Sequence, residues 1–404
     1  MFTQIKDGGV TAPLGFRAAA TNADIKGNGN KKNDMALIVS DEPCIAAALF
    51  TENVVKAAPV IYDMDILKTN AKGVTAILAN SGNANACTGE GGLNVCTNLT
   101  KQTADILNVP SNSVLIASTG VIGNPMPQQK ISDKLPVLAQ SLSDEGGSDF
   151  AKAIMTTDTK QKEVAVLVET EKGCYVIGGC CKGAGMIAPS LATMLAFITT
   201  DAAVSSAVLQ KALTEAAEVS FNQVTVDGDM STNDSLFVLA NGMSGVKINE
   251  NEYNSFKEAL SYVCNILAKK IAADGEGATK LVTIKVKGAL DKEQARLCAS
   301  KIANSPLVKT MFAGCDPNWG RLMASAGASG AVFDPNKTDI YFNDLHYVKN
   351  GIIIDSKLEE NVYEIMQNSE YEITLDLHCG MGEAAFYTCD FTVDYVKINA
   401  DYRS

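Results

Sequence analysis

Histidine is nearly absent from this chain. His346 and His378 are the only two in 404 residues, which leaves little room for an imidazole base or a histidine-rich zinc site. The eleven cysteines run from Cys44 to Cys389 without a C-x-x-C pair, and their odd number excludes a fully closed disulfide framework. They read as reduced, mostly buried thiols of a cytoplasmic protein, although the adjacent pair Cys180–Cys181 has no physical account at this level. Long hydrophobic runs are missing too. The longest candidate, Met186 to Ile198, is interrupted by Pro189, Ser190 and Thr193, whereas a spanning helix needs about 20 mainly apolar residues. The opening MFTQIKDGGVTAPLG lacks the basic and apolar regions of an export signal. A soluble protein with no membrane partner is therefore expected. Positive charge is scarce: 34 basic against 46 acidic residues give −12, with no basic cluster, which argues against nucleic-acid binding.

What is present is ordinary globular material, 46% apolar and 20% charged. Candidate strands are short, rich in β-branched or aromatic residues, and bounded by Gly, Asn or Asp: 36–40, 74–79, 163–170, 281–287, 339–343 and 371–377. The clearest helix is Glu252–Ala273, where Phe256, Leu260, Val263, Leu267 and Ile271 recur on one stripe. Helical spacing also covers 207–219 and 291–303. KGNGNKKND (26–34) reads as an exposed loop. The fold class is α+β, with helices packed on sheets and no linker, internal repeat or composition shift.

Several stretches could carry chemistry. SGNANACTGEGG (81–92), STGVIGNPMP (118–127) and GGCCKGAG (178–185) are Gly-rich but fit no phosphate-loop pattern. They are either tight turns or frames that aim backbone N–H groups at an oxyanion. VDGDMSTND (226–234) has its glycine at the second position from Asp227 rather than the sixth and no closing glutamate, so it does not fit a calcium loop and reads as a polar turn or the wall of a site. The lone Trp319, beside Asn318 and Arg321, is either a packing anchor or a recognition element.

KGAGMIAPSLATMLAFITTDA (182–202) poses the sharper question, because it carries the hydroxyl of Thr193 into apolar surroundings. A buried core threonine is the ordinary explanation. The alternative is a nucleophile that needs no histidine: a threonine at a new chain terminus, whose own α-amine takes the proton. Such an amine titrates near ~7.7–8.0. The Ala192–Thr193 bond would first have to break, through attack of the hydroxyl on the preceding carbonyl and hydrolysis of the resulting ester.

That segment resembles the self-cleaving region of the ornithine acetyltransferases, the bifunctional glutamate N-acetyltransferase/amino-acid acetyltransferases of arginine biosynthesis. The likeness extends through GFRAAATNADIK (15–26), SGNANACTG (81–89), STGVIG (118–123), MTTDTKQK (155–162), FNQVTVDGDMSTNDS (221–235), GEGATK (275–280), AGCDPNWGR (313–321) and the terminal NADYRS (399–404). It covers essentially the whole chain. Departures are minor: Ala184 stands where the family often has Ser, Ser190–Leu191 where it has Asn-Met, and Cys180–Cys181 is atypical.

The resemblance implies residue roles. Thr193 is the nucleophile released by cleavage after Ala192; Thr119 and Gly120 stabilise the oxyanion; Thr156, Lys182, Thr193, Glu276, Asn399 and Ser404 line the substrate site, with Thr157 a competitor of Thr156. It implies ping-pong transfer of acetyl from N-acetylornithine to glutamate through acetyl-Thr193, without metal or cofactor, with acetyl-CoA as an optional co-substrate. It implies fragments 1–192 and 193–404 folded together in an α2β2 heterotetramer, on an αββα-like layered sandwich close in logic to N-terminal-nucleophile enzymes. Two rivals differ in outcome. A related aminopeptidase or amidohydrolase would release the acyl group to water, and a binding protein without catalysis would keep the Ala192–Thr193 bond.

Overall fold

The computed structural model describes residues 1–188 and 194–401. Nine strands form one sheet: β1 (Phe2–Ile5), β2 (Phe16–Thr21), β3 (Met35–Phe50), β4 (Val74–Asn80), β5 (Val114–Ser118), β6 (Lys162–Thr170), β7 (Gly173–Lys182), β8 (Leu195–Thr200) and β9 (Ser235–Ala240). Their order is β1-β6-β7-β8-β9-β3-β4-β5, with β2 also on β3. The long β3 joins two halves. Its first part pairs β2 and β4, its last part pairs β9, and the register shifts between Val39 and Cys44.

Successive residues on a strand face opposite ways, and here each face meets a different core. On β8, Leu195 and Phe197 pack with Ile38, Ile77 and Leu115 of the other half, whereas Ala196 and Ile198 join the helical residues Leu213, Leu260 and Leu267. On β4, Ile77 and Ala79 face the same inner core, while Ala76 and Leu78 meet Cys96 and Leu99 of the helix Gly89–Leu107. The layers are therefore helix, sheet, sheet, helix, the αββα sandwich of an α+β protein. Inside it, Phe150–Phe197, Phe197–Phe237 and Phe50–Phe237 form a chain of ring contacts at 5.0, 5.6 and 5.8 Å, each contributing about 0.5–1.5 kcal/mol beyond area burial.

The same alternation accounts for the cysteine pair. Cys180 lies in the inner core and Cys181 in the outer helical core, so they serve as two small apolar fillers on opposite faces of β7. All eleven cysteines are free, and burial pushes the Cys181 thiol up to about 12.

The outer helices follow from their apolar stripes. Tyr253–Ala273 buries Phe256, Leu260, Val263, Leu267 and Ile271. Ser206–Glu218 buries Leu209, Ala212, Leu213 and Ala216, and the Ser205 hydroxyl accepts the Val208 N–H at 3.4 Å.

A second, six-stranded sheet comprises β10 (Leu281–Ala289), β11 (Asp339–Phe342), β12 (Leu345–Lys349), β13 (Ile352–Ile353), β14 (Glu370–Asp376) and β15 (Gly382–Cys389), in the order β13-β12-β11-β14-β10-β15. It is one-sided. Val282, Ile284, Val286, Ile373 and Leu375 pack with the helix Lys292–Ala303, while Thr283, Lys285 and Lys287 are half-exposed.

Three sequence expectations need correction. GGCCK is the end of strand β7 rather than a turn, because its small residues fit where Gly178 and Gly179 meet neighbouring backbone. GEGG opens the helix Gly89–Leu107. The strand at 36–40 continues to Phe50 across Pro43 and an alanine run of low β-propensity. Trp319 begins the helix Trp319–Gly327 and packs against the second-sheet core, so it is an anchor. Among the described residues no helix is long and apolar enough to cross a membrane.

Candidate active site

Strand β5 ends at Ser118, and Thr119 and Gly120 follow it at the mouth of the sheet. Gly120 has φ +129°, and a Cβ there would lie 2.4 Å from the Gly82 carbonyl carbon. Only glycine lets the 118–127 loop approach 81–92 so closely. Asparagines clasp the two loops. The Asn80 side-chain amide donates to the Asn83 carbonyl at 2.9 Å and its oxygen accepts from the Ser118 hydroxyl at 2.7 Å. The Asn83 amide donates to the Asn124 and Pro125 carbonyls. From the 226–234 stretch, Asn233 donates to the carbonyls of Ala84 (2.7 Å) and Ser118 (2.8 Å). Each buried amide dipole is thereby satisfied, which fixes the loops rather than leaving them to solvent.

These loops wall a cleft of about 80 Å³ that also receives Thr156, Thr157, Lys182, Glu276 and Asn399. Lys182 is the last residue of β7, 4% exposed, with Nζ 3.5 Å from the Thr119 hydroxyl. Its counter-charge is Asp158, whose carboxylate accepts N–H from Gly183 (2.7 Å) and Thr156 (3.0 Å) and the Lys162 ammonium (2.8 Å). Burial opposes the charge on Asp158, but Lys182, Lys162 and the Gly183 N–H outweigh it and hold the carboxyl well below the usual range. Lys162 also pairs with buried Asp274, so the cation beneath the cleft is fully compensated.

Glu276, 8% exposed, approaches from the opposite side. A Cβ on Gly185 would sit 2.3 Å from its carboxylate, so that glycine makes room for it. The Asn399 amide donates to Glu276 at 2.8 Å. Asn399 rides on the last described helix, Val393–Asp401, which Thr392 ties to the Gly277 carbonyl at 2.7 Å and where Phe391 stacks on Tyr395 at 4.7 Å. Helices near a terminus often fray; these contacts dock Val393–Asp401 beside the cleft.

The acidic stretch 226–234 is a wall of this cleft. Asp227 accepts the N–H groups of Met186 and Ile187 at 2.7 and 2.8 Å, holding the approach to residue 189, and Asp234 accepts the Met194 N–H at 3.1 Å on the far side. Burial pushes the Asp234 carboxyl well above its ordinary range. Among the described residues no group of three or more His, Cys, Asp or Glu could hold a metal ion. Both histidines lie beside Asp339 at the second sheet, His346 on β12 and His378 just past the end of β14.

Of the residues expected from the sequence, Thr119, Gly120, Thr156, Lys182, Glu276 and Asn399 meet in one cleft, and Thr157 lines it as well. Ala192, Thr193 and Ser404 lie outside the described residues. Sequence reasoning missed Asn233 and Asp158; a polar residue beside a candidate loop was visible, but its carbonyl partners are not sequence neighbours.

Residues 17–404 match the ArgJ family. The chain belongs to that family. An arginine biosynthesis bifunctional protein ArgJ of Symbiobacterium thermophilum is 47% identical, covering 98% of this chain and 99% of that one. A glutamate N-acetyltransferase of Methanocaldococcus jannaschii is 44% identical, covering 99% and 100%. A solved ArgJ chain from Bacillus halodurans aligns at 38% identity and TM-score 0.49 over 51% of this chain and 98% of its own.

Proposed function

We propose that this ArgJ-family chain is a glutamate N-acetyltransferase that moves acetyl from N-acetylornithine to glutamate through an ester on Thr193. The gathering of Thr119, Gly120, Lys182, Glu276 and Asn399 in one cleft supports this most. In this reading the Thr193 hydroxyl first attacks the Ala192 carbonyl, the chain shifts onto oxygen, and water hydrolyses the ester. The new α-amine becomes the base. It takes the Thr193 Oγ proton as Oγ attacks the acetyl carbon of N-acetylornithine. The Thr119 hydroxyl and Gly120 N–H donate to the developing oxyanion, each such donor being worth about 3–4 kcal/mol. Collapse expels ornithine, whose nitrogen regains the proton, and leaves acetyl-Thr193. The glutamate α-amine then attacks that ester.

Lys182 suits a substrate carboxylate, and Glu276 with Asn399 suits a cationic amine. Thr156 and Ser404 complete the substrate contacts. The chemistry uses no cofactor, and acetyl-CoA serves as an optional second donor. Fragments 1–192 and 193–404 stay together because β7 pairs β8 and β3 pairs β9 across the break; two such pairs form the α2β2 heterotetramer. Eleven free cysteines suit the cytoplasm.

The test incubates the protein with N-acetylornithine and isotopically labelled glutamate and follows N-acetylglutamate, ornithine and acetate. Equal amounts of N-acetylglutamate and ornithine are expected. Acetate without N-acetylglutamate would instead make the chain an aminopeptidase-like or amidohydrolase-like relative.

A further inference from the structure

The proposed self-cleavage, on which this inference rests, demands placement. The Thr193 hydroxyl must meet the Ala192 carbonyl carbon, and a misplacement of about 1 Å in such an attack costs on the order of 10²-fold in rate. The chain therefore has to be held on both sides of that bond.

One segment, 225–235, does the holding on each side. Upstream, the Asp227 carboxylate spends one oxygen on each of two successive N–H groups, Oδ2 on Met186 at 2.7 Å and Oδ1 on Ile187 at 2.8 Å. The Ile187 carbonyl in turn accepts the N–H groups of Val226 at 3.0 Å and Gly228 at 3.1 Å. Met186 has φ +58°, a left-handed conformation that a residue other than glycine keeps only where its surroundings impose it.

Downstream, Asp234 Oδ1 accepts the Met194 N–H at 3.1 Å, and the Ser235 N–H donates to the Met194 carbonyl at 3.1 Å. Asp234 is fully buried and its Oδ2 makes no hydrogen bond, so its hold on Met194 rests on one oxygen. The segment is itself anchored by Thr51, just past the end of β3. The Thr51 N–H donates to the Asp234 carbonyl at 3.0 Å and its hydroxyl to the Ser231 carbonyl at 2.8 Å. Between the two aspartates, Ser231, Thr232 and Asn233 line the cleft.

The two grips differ in what they hold. Asp227 grips the fragment that ends at Ala192, and that grip has served once the bond is broken. Asp234 grips the residue after Thr193, and that grip outlasts the break.

We propose that 225–235 is a clamp for self-cleavage, with Asp227 and Asp234 as positioning residues. Asp227 sets the break; Asp234 sets the break and then the nucleophile that it leaves.

The test follows the denatured mass of freshly synthesised full-length chain over time, together with kcat for acetyl transfer per cleaved chain. Asp227→Asn turns an amide N–H₂ toward one of the two N–H donors. It should slow cleavage about 10²-fold, with a much smaller loss of kcat per cleaved chain. Asp227→Ser gives a second reading should that variant not fold, and should slow cleavage as well. Asp234→Asn keeps an acceptor for Met194 and should cleave far faster than Asp234→Ala, which should lose cleavage and kcat together. Tyr395→Phe deletes the Tyr395 O–H that reaches Asp227 at 3.3 Å, and should slow cleavage far less than Asp227→Asn. Wild-type cleavage rates in the Asp227 variants, or a loss of kcat as large as the loss of cleavage in Asp227→Asn, overturn the clamp and leave the transfer reading intact. A wild type that stays one chain overturns the cleavage reading and this inference together.

Discussion

The two sheets of this protein are built to different standards. In the nine-stranded sheet, β4, β5, β8 and β9 are buried along their whole length, with a core on each face. In the six-stranded sheet, β10 alternates buried and half-exposed residues and only one face is covered. The candidate catalytic groups Thr119 and Gly120 follow a strand of the first kind, and Lys182 ends β7, which is buried over its last six residues. The second sheet contributes its edges: Glu276 precedes β10, and Asn399 follows β15. A strand packed on both faces cannot shift without disturbing two cores, so groups at its end are held within the tolerance that catalysis needs. The one-sided sheet serves as buttress, and its open face carries the histidines and Asp339.

The contrast breaks most visibly at Gly120. Gly120→Ala puts a Cβ 2.4 Å from Gly82 and displaces the proposed oxyanion donor, so kcat for acetyl transfer should fall about 10²–10³-fold with the fold retained by circular dichroism. Asn233→Ala should act less severely. It leaves the Ala84 and Ser118 carbonyls without a donor, costing about 1–3 kcal/mol in denaturant unfolding, and transfer falls with the loosened loops.

Asp339→Asn, in the second sheet, should leave kcat unchanged and alter only stability. Burial works against the Asp339 carboxylate, but the Asn350 N–H and the two histidines outweigh it and lower its pKa. A carboxyl depressed in the folded state stabilises above the unfolded value, about 3.9, and that contribution disappears as pH falls through the folded value. The melting-temperature gap between wild type and Asp339→Asn should therefore be present at neutral pH and close on acidification below about pH 4. A change in kcat for this variant would erase the division of labour between the sheets.

Much of this was legible in the sequence, for identifiable reasons. Helix Tyr253–Ala273 has a stripe that only a helix presents, and β4, β6, β10, β11 and β14 are bounded by turn residues. Less legible was anything that depends on both faces of a sheet being covered. Cys180 and Cys181 make sense only when each side of β7 has its own core, and the second half of β3 is an alanine run whose strand character comes from its partner β9. Family likeness named Thr119, Gly120, Thr156, Lys182, Glu276 and Asn399, which do meet in the cleft. Asp158 and Asn233 escaped because their work is done on backbone groups: Asp158 bridges chain 25 residues apart and Asn233 reaches 115 and 149 residues back.

The central claim, that Thr193 becomes a chain terminus and carries the acetyl group, is tested most directly by the denatured mass of the purified protein with N-acetylornithine, beside Thr193→Ala. Wild type should separate into fragments 1–192 and 193–404, with one acetyl group added to the second, while the variant stays a single unmodified chain. A wild type that transfers acetyl as one intact chain, or that carries the acetyl group on the first fragment, would contradict the account.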